Sequence, residues 1–581
     1  FQGSRAEPYD EDWCAKEFSP AASLFSSNSR YDIDNIVAVL QCLEEPLRPQ
    51  YGGGIVTNAE LNQGLNGWEP FGQSKVEARR SKSGDAYIVA RRRRQQHDSF
   101  SQKIYLEKDL LYTFSAWFQV SNGSADVAAV FKTPTGSKHT GWVTAKAGCW
   151  SMLKGGLTVD ASGPAVLYFE SNDTAVDILA DSISFQPFTQ EEWRSHQDQS
   201  IEKARKSKVK LQAMDAQGNA LANATVSIVQ KNSNFPIGVA INKNILSNTA
   251  YQNWFTSRFK VTAFEDEMKW YSTEYSQGRE DYSVPDAMLQ LTRSNGISVR
   301  GHNVFWDDPQ RQPKWVQSLS TDELRTAAEA RINSIMKRYS GQLIAWDVVN
   351  ENIHHSFFES ELGEKASIDF YHQANNLDGN NSLLFLNEYN TLEIESDGAS
   401  SPAKYLAKIN DIQSAGQLPL AIGLQGHFDT PNLAYMRSAI DQLAAAKLPI
   451  WLTELDVSNS PDLQARYLDQ TIREVHGHPA VNGIVIWSAW RPTGCYKMCL
   501  TDNDFRNLPT GDVVDNIIKE FSLNKLSGTT DANGYLEASL FHGEYEVTVS
   551  HPKMGDSSVL QSFKVVSTGF SEQTLNVKVF A

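Results

Sequence analysis

Long apolar runs are missing from this chain: in 581 residues no hydrophobic stretch approaches the roughly 20 needed to cross a bilayer, so no membrane partner is expected. Cysteine is scarce too. Five residues are too few for a disulfide-held scaffold, and none stands in a Cys-x-x-Cys pair with histidine nearby, so no metal site is expected. Positive charge is also in short supply, with 53 Lys and Arg against 69 Asp and Glu for a net charge of -16. That balance disfavours nucleic acid and anionic surfaces as partners and suits a neutral ligand. The run Arg91-Arg92-Arg93-Arg94 is accordingly read as a solvated face.

What is present exceeds one core, because a barrel of about 250 residues would still leave room for two or more small domains. Residues 1–53 are polar and turn-rich and read as an extension or linker, opening on Phe1-Gln2-Gly3-Ser4, which looks like an expression remnant. Residues 54–188 hold short strands such as Leu111 to Val120 and Ala165 to Glu170, separated by Gly, Asp, Ser and Asn, the pattern of a β-sandwich. Residues 189–206 are charged and read as a helical linker. Cys495 and Cys499 are close enough to bridge. Cys14 and Cys42 are placed to pair within the extension, which would leave Cys149 unpaired. Asn122, Asn172, Asn223 and Asn380 open glycosylation sequons, compatible with a secreted glycoprotein.

Across 233–524 strands and helices alternate. Eight strand candidates, Ile237 to Ile241, Val261 to Glu265, Ser298 to Asn303, Leu343 to Val349, Leu383 to Asn387, Ala421 to Gln425, Ile450 to Glu454 and Gly483 to Trp487, predict a closed parallel (β/α)8 TIM barrel. Ser320, with Glu323 three residues on, predicts the start of a helix over 321–339. Two glutamates stand at strand ends, Glu351 after the fourth candidate and Glu454 closing the seventh. Strand ends form the reactive face of such a barrel, so carboxylate chemistry is expected there. The hairpin of 207–232 lacks a sheet to complete it. With the helix-free segment 525–581 it resembles prealbumin-like or carboxypeptidase-regulatory-like domains, through Gly528-Thr-Thr-Asp-Ala-Asn-Gly-Tyr535 and Gly543-Glu-Tyr-Glu-Val547. The expectation is one discontinuous small sandwich with the barrel inserted; two unrelated appendages are the alternative.

Six runs in order, Glu265-Asp266-Glu267-Met268-Lys269-Trp270, Arg300-Gly301-His302-Asn303-Val304-Phe305-Trp306, Trp346-Asp347-Val348-Val349-Asn350-Glu351, Leu386-Asn387-Glu388-Tyr389-Asn390, Gly423-Leu424-Gln425-Gly426-His427 and Thr453-Glu454-Leu455-Asp456, closely resemble glycoside hydrolase family 10, plant members above all. That resemblance implies a retaining endo-β-1,4-xylanase, monomeric, secreted to the cell wall and acting on heteroxylan without a cofactor. It implies Glu351 as acid/base and Glu454 as nucleophile, because retention needs one neutral and one ionised carboxyl. Asn350 would bond the sugar 2-hydroxyl and the nucleophile, and His427 would keep Glu454 ionised. Glu267, Lys269, His302, Trp306, Gln425, Trp487 and Tyr389 would contact sugar.

Residues 54–188 resemble a carbohydrate-binding module of family 22, a jelly-roll, through Ser101-Gln-Lys-Ile-Tyr-Leu106, Ser115-Ala-Trp117 and Gly148-Cys-Trp-Ser-Met-Leu-Lys-Gly-Gly156, with Arg93, Tyr168 and Glu170 matching ligand positions. Phe71 and His97 depart from that pattern. In the barrel, Asp266 replaces an amide, Trp306-Asp307-Asp308-Pro309 rebuilds the second subsite, and Cys495 stands where a second tryptophan is usual, leaving Tyr496 as a substitute platform. His354, His355, His372, His476 and His478 read as structural. Transglycosylation through the same intermediate is the alternative activity. A non-catalytic wall-polysaccharide-binding protein is the alternative of another class.

Overall fold

The structure is a computed structural model that describes residues 42–523, 525–567 and 574–580. Among the described residues no helix is long and apolar enough to cross a membrane. The described residues divide into two compact units, one of residues 42–196 with 390–408 and 432–447, the other of residues 197–389 and 409–431 with the described residues from 448 to 580.

The first unit holds two five-stranded sheets, with spatial order 69–71, 99–106, 163–170, 124–133, 136–146 in one and 75–80, 86–91, 178–188, 111–120, 151–157 in the other. All their pairings are antiparallel. Alternating side chains of both sheets meet in one core that includes Trp68, Phe100, Phe114, Phe118, Phe131, Phe169 and Phe185. Residues 42–53 are not a free linker. Leu43 bridges Trp150, the Ser184 hydroxyl donates to the Gln50 carbonyl, and Cys42 is disulfide-bonded to Cys149. The pairing of Cys42 with Cys14 is therefore overturned; Cys14 itself lies outside the described residues.

Arg93, expected to meet a ligand, is buried and donates to five backbone carbonyls, those of Gln96, Asp98, Ser171, Asp173 and Val176. All its donor capacity is spent holding loops together, so it has none for a ligand. Tyr168 keeps its partner Glu170, at 2.9 Å, but one face of its ring is covered by Phe71, stacked at 4.1 Å. Within the same unit the helix Leu433–Leu443 lies on strand 151–157. The buried Lys154 pairs with the half-buried Asp441 at 2.8 Å, and a β-carbon at Gly156 would fall 2.2 Å from the Tyr435 nitrogen. Only glycine permits that approach.

In the second unit eight parallel strands, Ile237–Val239 (β1), Val261–Ala263 (β2), Ser298–Trp306 (β3), Ala345–Asn350 (β4), Leu383–Glu388 (β5), Leu420–Leu424 (β6), Ile450–Val457 (β7) and Val481–Ile486 (β8), pair in sequence from β2 round to β8 and then β1. A parallel bridge between Ile241 and Phe264 closes the ring. Each strand starts within two residues of its expected position, and β3 and β7 run on past their expected ends to Trp306 and Val457. A β-carbon at Gly301 would lie 2.3 Å from the Trp346 ring, so glycine is what lets that indole fill the barrel. The helix Thr321–Tyr339 begins with a reciprocal Ser320–Glu323 capping box. From it the buried Arg331 donates to the carbonyls of Met268, Asn303 and Val304, fixing the chain beyond β2 and within β3 next to Lys269 and His302.

Strand 206–214 pairs with 535–541 and, in parallel, with 575–580, while 225–233 pairs with 526–529 and 543–550. Val209, Leu211, Val226 and Ile228 share a core with Leu540, Val547, Val549 and Val579. The helix Gln190–Arg205 is packed rather than solvated, with Trp193 and Ile201 buried. Its Arg205 donates to the carbonyls of His476, His478 and Val481, satisfying the end of the helix Pro461–His476. Leu211 is fully buried. Leu211→Ala should therefore cost about 2–5 kcal/mol, seen as faster proteolytic cleavage within 206–233 and within 526–580; cleavage confined to one segment would mean that the two do not share a core.

Candidate active site

Strand β4 is buried throughout and delivers Asn350 and then Glu351 at its end. Glu351 adopts φ +62°, a left-handed conformation costly for a residue with a β-carbon, and is held there by its N–H bond to the Asn387 carbonyl at 2.9 Å. Its carboxyl accepts from Trp306 Nε1 at 2.7 Å on one oxygen and from Gln425 Nε2 at 3.0 Å on the other. Burial pushes the Glu351 carboxyl up to about 7. The bonds from Gln425 and Trp306 work against that rise, and the neighbouring Glu388 and Glu454 charges add to it.

Glu454, on β7, is more deeply enclosed and has the opposite character. His427 Nε2 lies 3.0 Å from Oε2, Asn387 Nδ2 donates to Oε1 at 2.9 Å, and His302 Nε2 lies 3.8 Å from Oε1. Burial alone would raise this carboxyl, but the His427 bond and the charges of His302, His427 and Lys269 outweigh it and hold it at about 2. Each of these neighbours has its own partner. His427 Nδ1 meets Asp456 at 2.7 Å, His302 Nδ1 meets Asp347 at 2.7 Å, and Asp347 also receives Arg300 at 2.8 Å. Burial disfavours the imidazolium of His427, yet the two carboxylates on either side raise it well above the usual histidine range.

The structure thus brings Glu351, Glu454, Asn350, His427, Lys269, His302, Trp306, Gln425 and Trp487 to one end of the barrel strands. Lys269 Nζ sits 4.5 Å from the Trp306 ring centre and 5.9 Å from that of Trp487, and the His302 ring meets Trp487 edge-on at 5.3 Å. One expected bond is replaced: Asn387, not Asn350, contacts Glu454, and it donates to Asn350 Oδ1 at 2.9 Å as well. A single amide reaches both because β5 lies next to β4, two strands from β7. Glu267 is less free than expected, since its oxygens accept the backbone N–H groups of Lys243 and Asp266. Tyr389 is stacked by His354 at 3.9 Å, and His354 is bonded to the buried Glu388 at 2.7 Å.

Asp266 takes Lys269, Tyr271 and Arg491, which hold its carboxyl well below the usual range despite its burial, so it is a hub for cations rather than a stand-in amide. Asp307 accepts the Phe358 N–H and staples the loop after β3. Tyr496 is 67% exposed within the Cys495–Cys499 loop, its ring edge-on to His427 at 5.2 Å. Sequence reading missed Asn387, Asp347, Asp456 and His355, whose Nε2 lies 4.0 Å from both Glu351 and Asp308. The first three stand inside or beside the quoted runs, which was the available signal; nothing in the sequence distinguishes His355 from a structural histidine. Among the described residues no group of His, Cys, Asp and Glu is arranged to hold a metal ion.

Compared with known proteins, residues 226–507 match the model of glycosyl hydrolase family 10. The chain is 43% identical over 493 residues to endo-1,4-β-xylanase 5 of Arabidopsis thaliana, covering 83% of this chain and 86% of that protein. It is 40% identical over 481 residues to endo-1,4-β-xylanase 4 of the same plant, covering 79% and 84%. Xylanase 10B of Thermotoga petrophila, solved in complex with xylobiose, aligns with a TM-score of 0.45 at 22% identity over 49% of this chain and 94% of that one.

A reaction that needs Glu454 ionised and Glu351 protonated should show kcat/KM rising through a pH of about 2 and falling through about 7. Trp306→Phe removes a donor that favours the ionised Glu351, so the alkaline fall should move to higher pH. His427→Gln removes the main support of the Glu454 anion, so the acid rise should move up as well. Profiles of kcat/KM against pH for both variants check the two directions; a shift downward in either would contradict the assigned cause.

Proposed function

Because the chain belongs to glycosyl hydrolase family 10, we propose that it is a retaining endo-β-1,4-xylanase, secreted, that cuts internal bonds of cell-wall heteroxylan. The observation that carries this reading is the contrast between two buried carboxyls at one barrel end, Glu351 pushed up to about 7 and Glu454 held at about 2. At neutral pH one can donate a proton while the other attacks, which is the division of labour that retention requires.

In the first step the Glu454 carboxylate attacks the anomeric carbon as Glu351 protonates the departing glycosidic oxygen. The positive character that develops on the sugar ring faces the Glu454 anion. The Asn350 amide bonds the 2-hydroxyl, and Lys269, His302, Gln425 and the Trp306 and Trp487 rings hold the glycone. Forming the ester removes the Glu454 charge, which lowers the pull on the Glu351 proton and leaves Glu351 ready to act as base. In the second step Glu351 takes a proton from water, whose oxygen attacks the same carbon and releases Glu454. Tyr389 and Glu267 contact substrate through the groups their internal bonds leave available.

Residues 54–188 are read as a jelly-roll module of the family 22 type, with Tyr168 and Glu170 as the ligand positions that Arg93 no longer joins. Residues 207–232 with 525–581 are read as one small sandwich carrying the barrel of 233–524, supported by their shared core. On xylohexaose and on glucuronoxylan the wild type should release oligosaccharides with initial β configuration. Glu351→Gln should lower kcat/KM by about 10²–10⁴, and Glu454→Gln should leave no measurable ester-forming step. Products longer than the input would identify transglycosylation, and an unchanged chain length with every xylan would sink the hydrolase reading.

A further inference from the structure

The sandwich carries a cleft of about 540 Å³ lined by Pro70, Gln73, Lys75, Val76, Arg92 and Arg94, with neither Tyr168 nor Glu170 in its lining. Its walls come from two stretches of chain, 70–76 and 92–94, and one buried side chain ties them together. Asp98, fully enclosed, accepts the backbone N–H of Gln73 at 3.0 Å on one oxygen and those of Arg94 and Gln95 at 2.8 and 3.0 Å on the other. Between them Arg93 is pinned by its five carbonyls, so the residues on either side, Arg92 and Arg94, are turned outward from a fixed strand end. Arg92 takes φ +55°, a conformation that costs energy in any residue but glycine.

Cations outnumber anions there. Among the described residues neither the Arg92 nor the Arg94 guanidinium meets a carboxylate, while Lys75 shares Glu77 with Arg79 and Arg91. In a chain of net charge -16, two exposed arginines with no carboxylate partner thus stand together on this cleft. We propose that this cleft binds the carboxylate of an acidic sugar, a uronic-acid substituent on the polysaccharide chain. A guanidinium fork matches a carboxylate in two parallel bonds, and Gln73 offers hydrogen bonds to hydroxyls. Pro70 and Val76 offer an apolar surface for a pyranose face, and the volume suits one or two sugar rings. Nucleic acid fits less well, because no aromatic ring lines the cleft for a base to stack on.

The proposal rests on the xylanase reading only for the identity of the polymer backbone; recognition of the carboxylate is measured without catalysis. In the Glu454→Gln background, the full chain is run through native gels containing glucuronoxylan or the same polymer with its carboxylates reduced to alcohols. Retardation should be roughly five-fold stronger on the acidic polymer and should weaken with added NaCl. Arg92→Gln/Arg94→Gln, both changes on exposed side chains, should abolish that difference while leaving cleavage of xylohexaose by the otherwise wild-type chain unchanged. Equal retardation on the two polymers, an undiminished difference in the double variant, or displacement by a DNA oligonucleotide charge for charge would overturn the proposal. Retention by polygalacturonate in a chain that releases no xylo-oligosaccharide would keep the cleft and remove the reading of the barrel.

Discussion

A carboxylate kept ionised in a water-poor pocket is the constraint on which the rest of the site depends. Removing such a charge from water costs several kcal/mol, and one opposite charge at close range recovers that only when the remaining lone pairs are also satisfied. Glu454 meets the condition with His427, Asn387, His302 and Lys269 together. Those residues would not hold position alone. Asp456 orients His427, Asp347 orients His302, Asp266 holds Lys269, and Asn350 and Thr453 hold Asn387. The inner ring thus has a second ring behind it, and together the two rings use residues on or just beyond β2 to β7. No run of fewer than six adjacent strands carries them all, which is why most of the barrel must form before the site does.

Glu351 is built on the opposite plan. Its donors are a neutral indole and a neutral amide, and the charges around it are mostly negative, so burial wins and the proton stays. Two glutamates with the same intrinsic acidity are thereby driven apart by their surroundings. The positive φ at Glu351 belongs to this arrangement, because it lets the residue after a buried strand turn back into the pocket while its N–H stays bonded to β5.

The N-terminal sandwich illustrates how a family resemblance and a local structure can diverge. Arg93 occupies a ligand position by sequence, yet five carbonyls claim it, and Phe71 covers the ring of Tyr168. The arginines on either side of it are the ones left facing solvent. Reading the four-arginine run as one solvated face was therefore too coarse: its third member is a buried brace, and the brace is what sets the direction of its neighbours.

Much of the fold was legible from periodicity alone. Short β-branched runs alternating with helical segments mark a barrel, and strand starts are visible because a buried parallel strand must be apolar on both faces. Glu351 and Glu454 were legible because each ends such a run within a distinctive motif. Asn387 as the bridging amide, Cys149 as the partner of Cys42 and His355 beside the acid were not. The first two depend on groups far apart in the chain, 107 residues in the case of the disulfide, while His355 stands only four residues from Glu351 with nothing in the sequence to separate it from a structural histidine. The sequence by itself determined which residue types arrive at the strand ends and in what order. Tertiary structure decided which of them touch, and hence which carboxyl keeps its proton, because acidity in a buried pocket is set by neighbours within a few ångströms rather than by position along the chain.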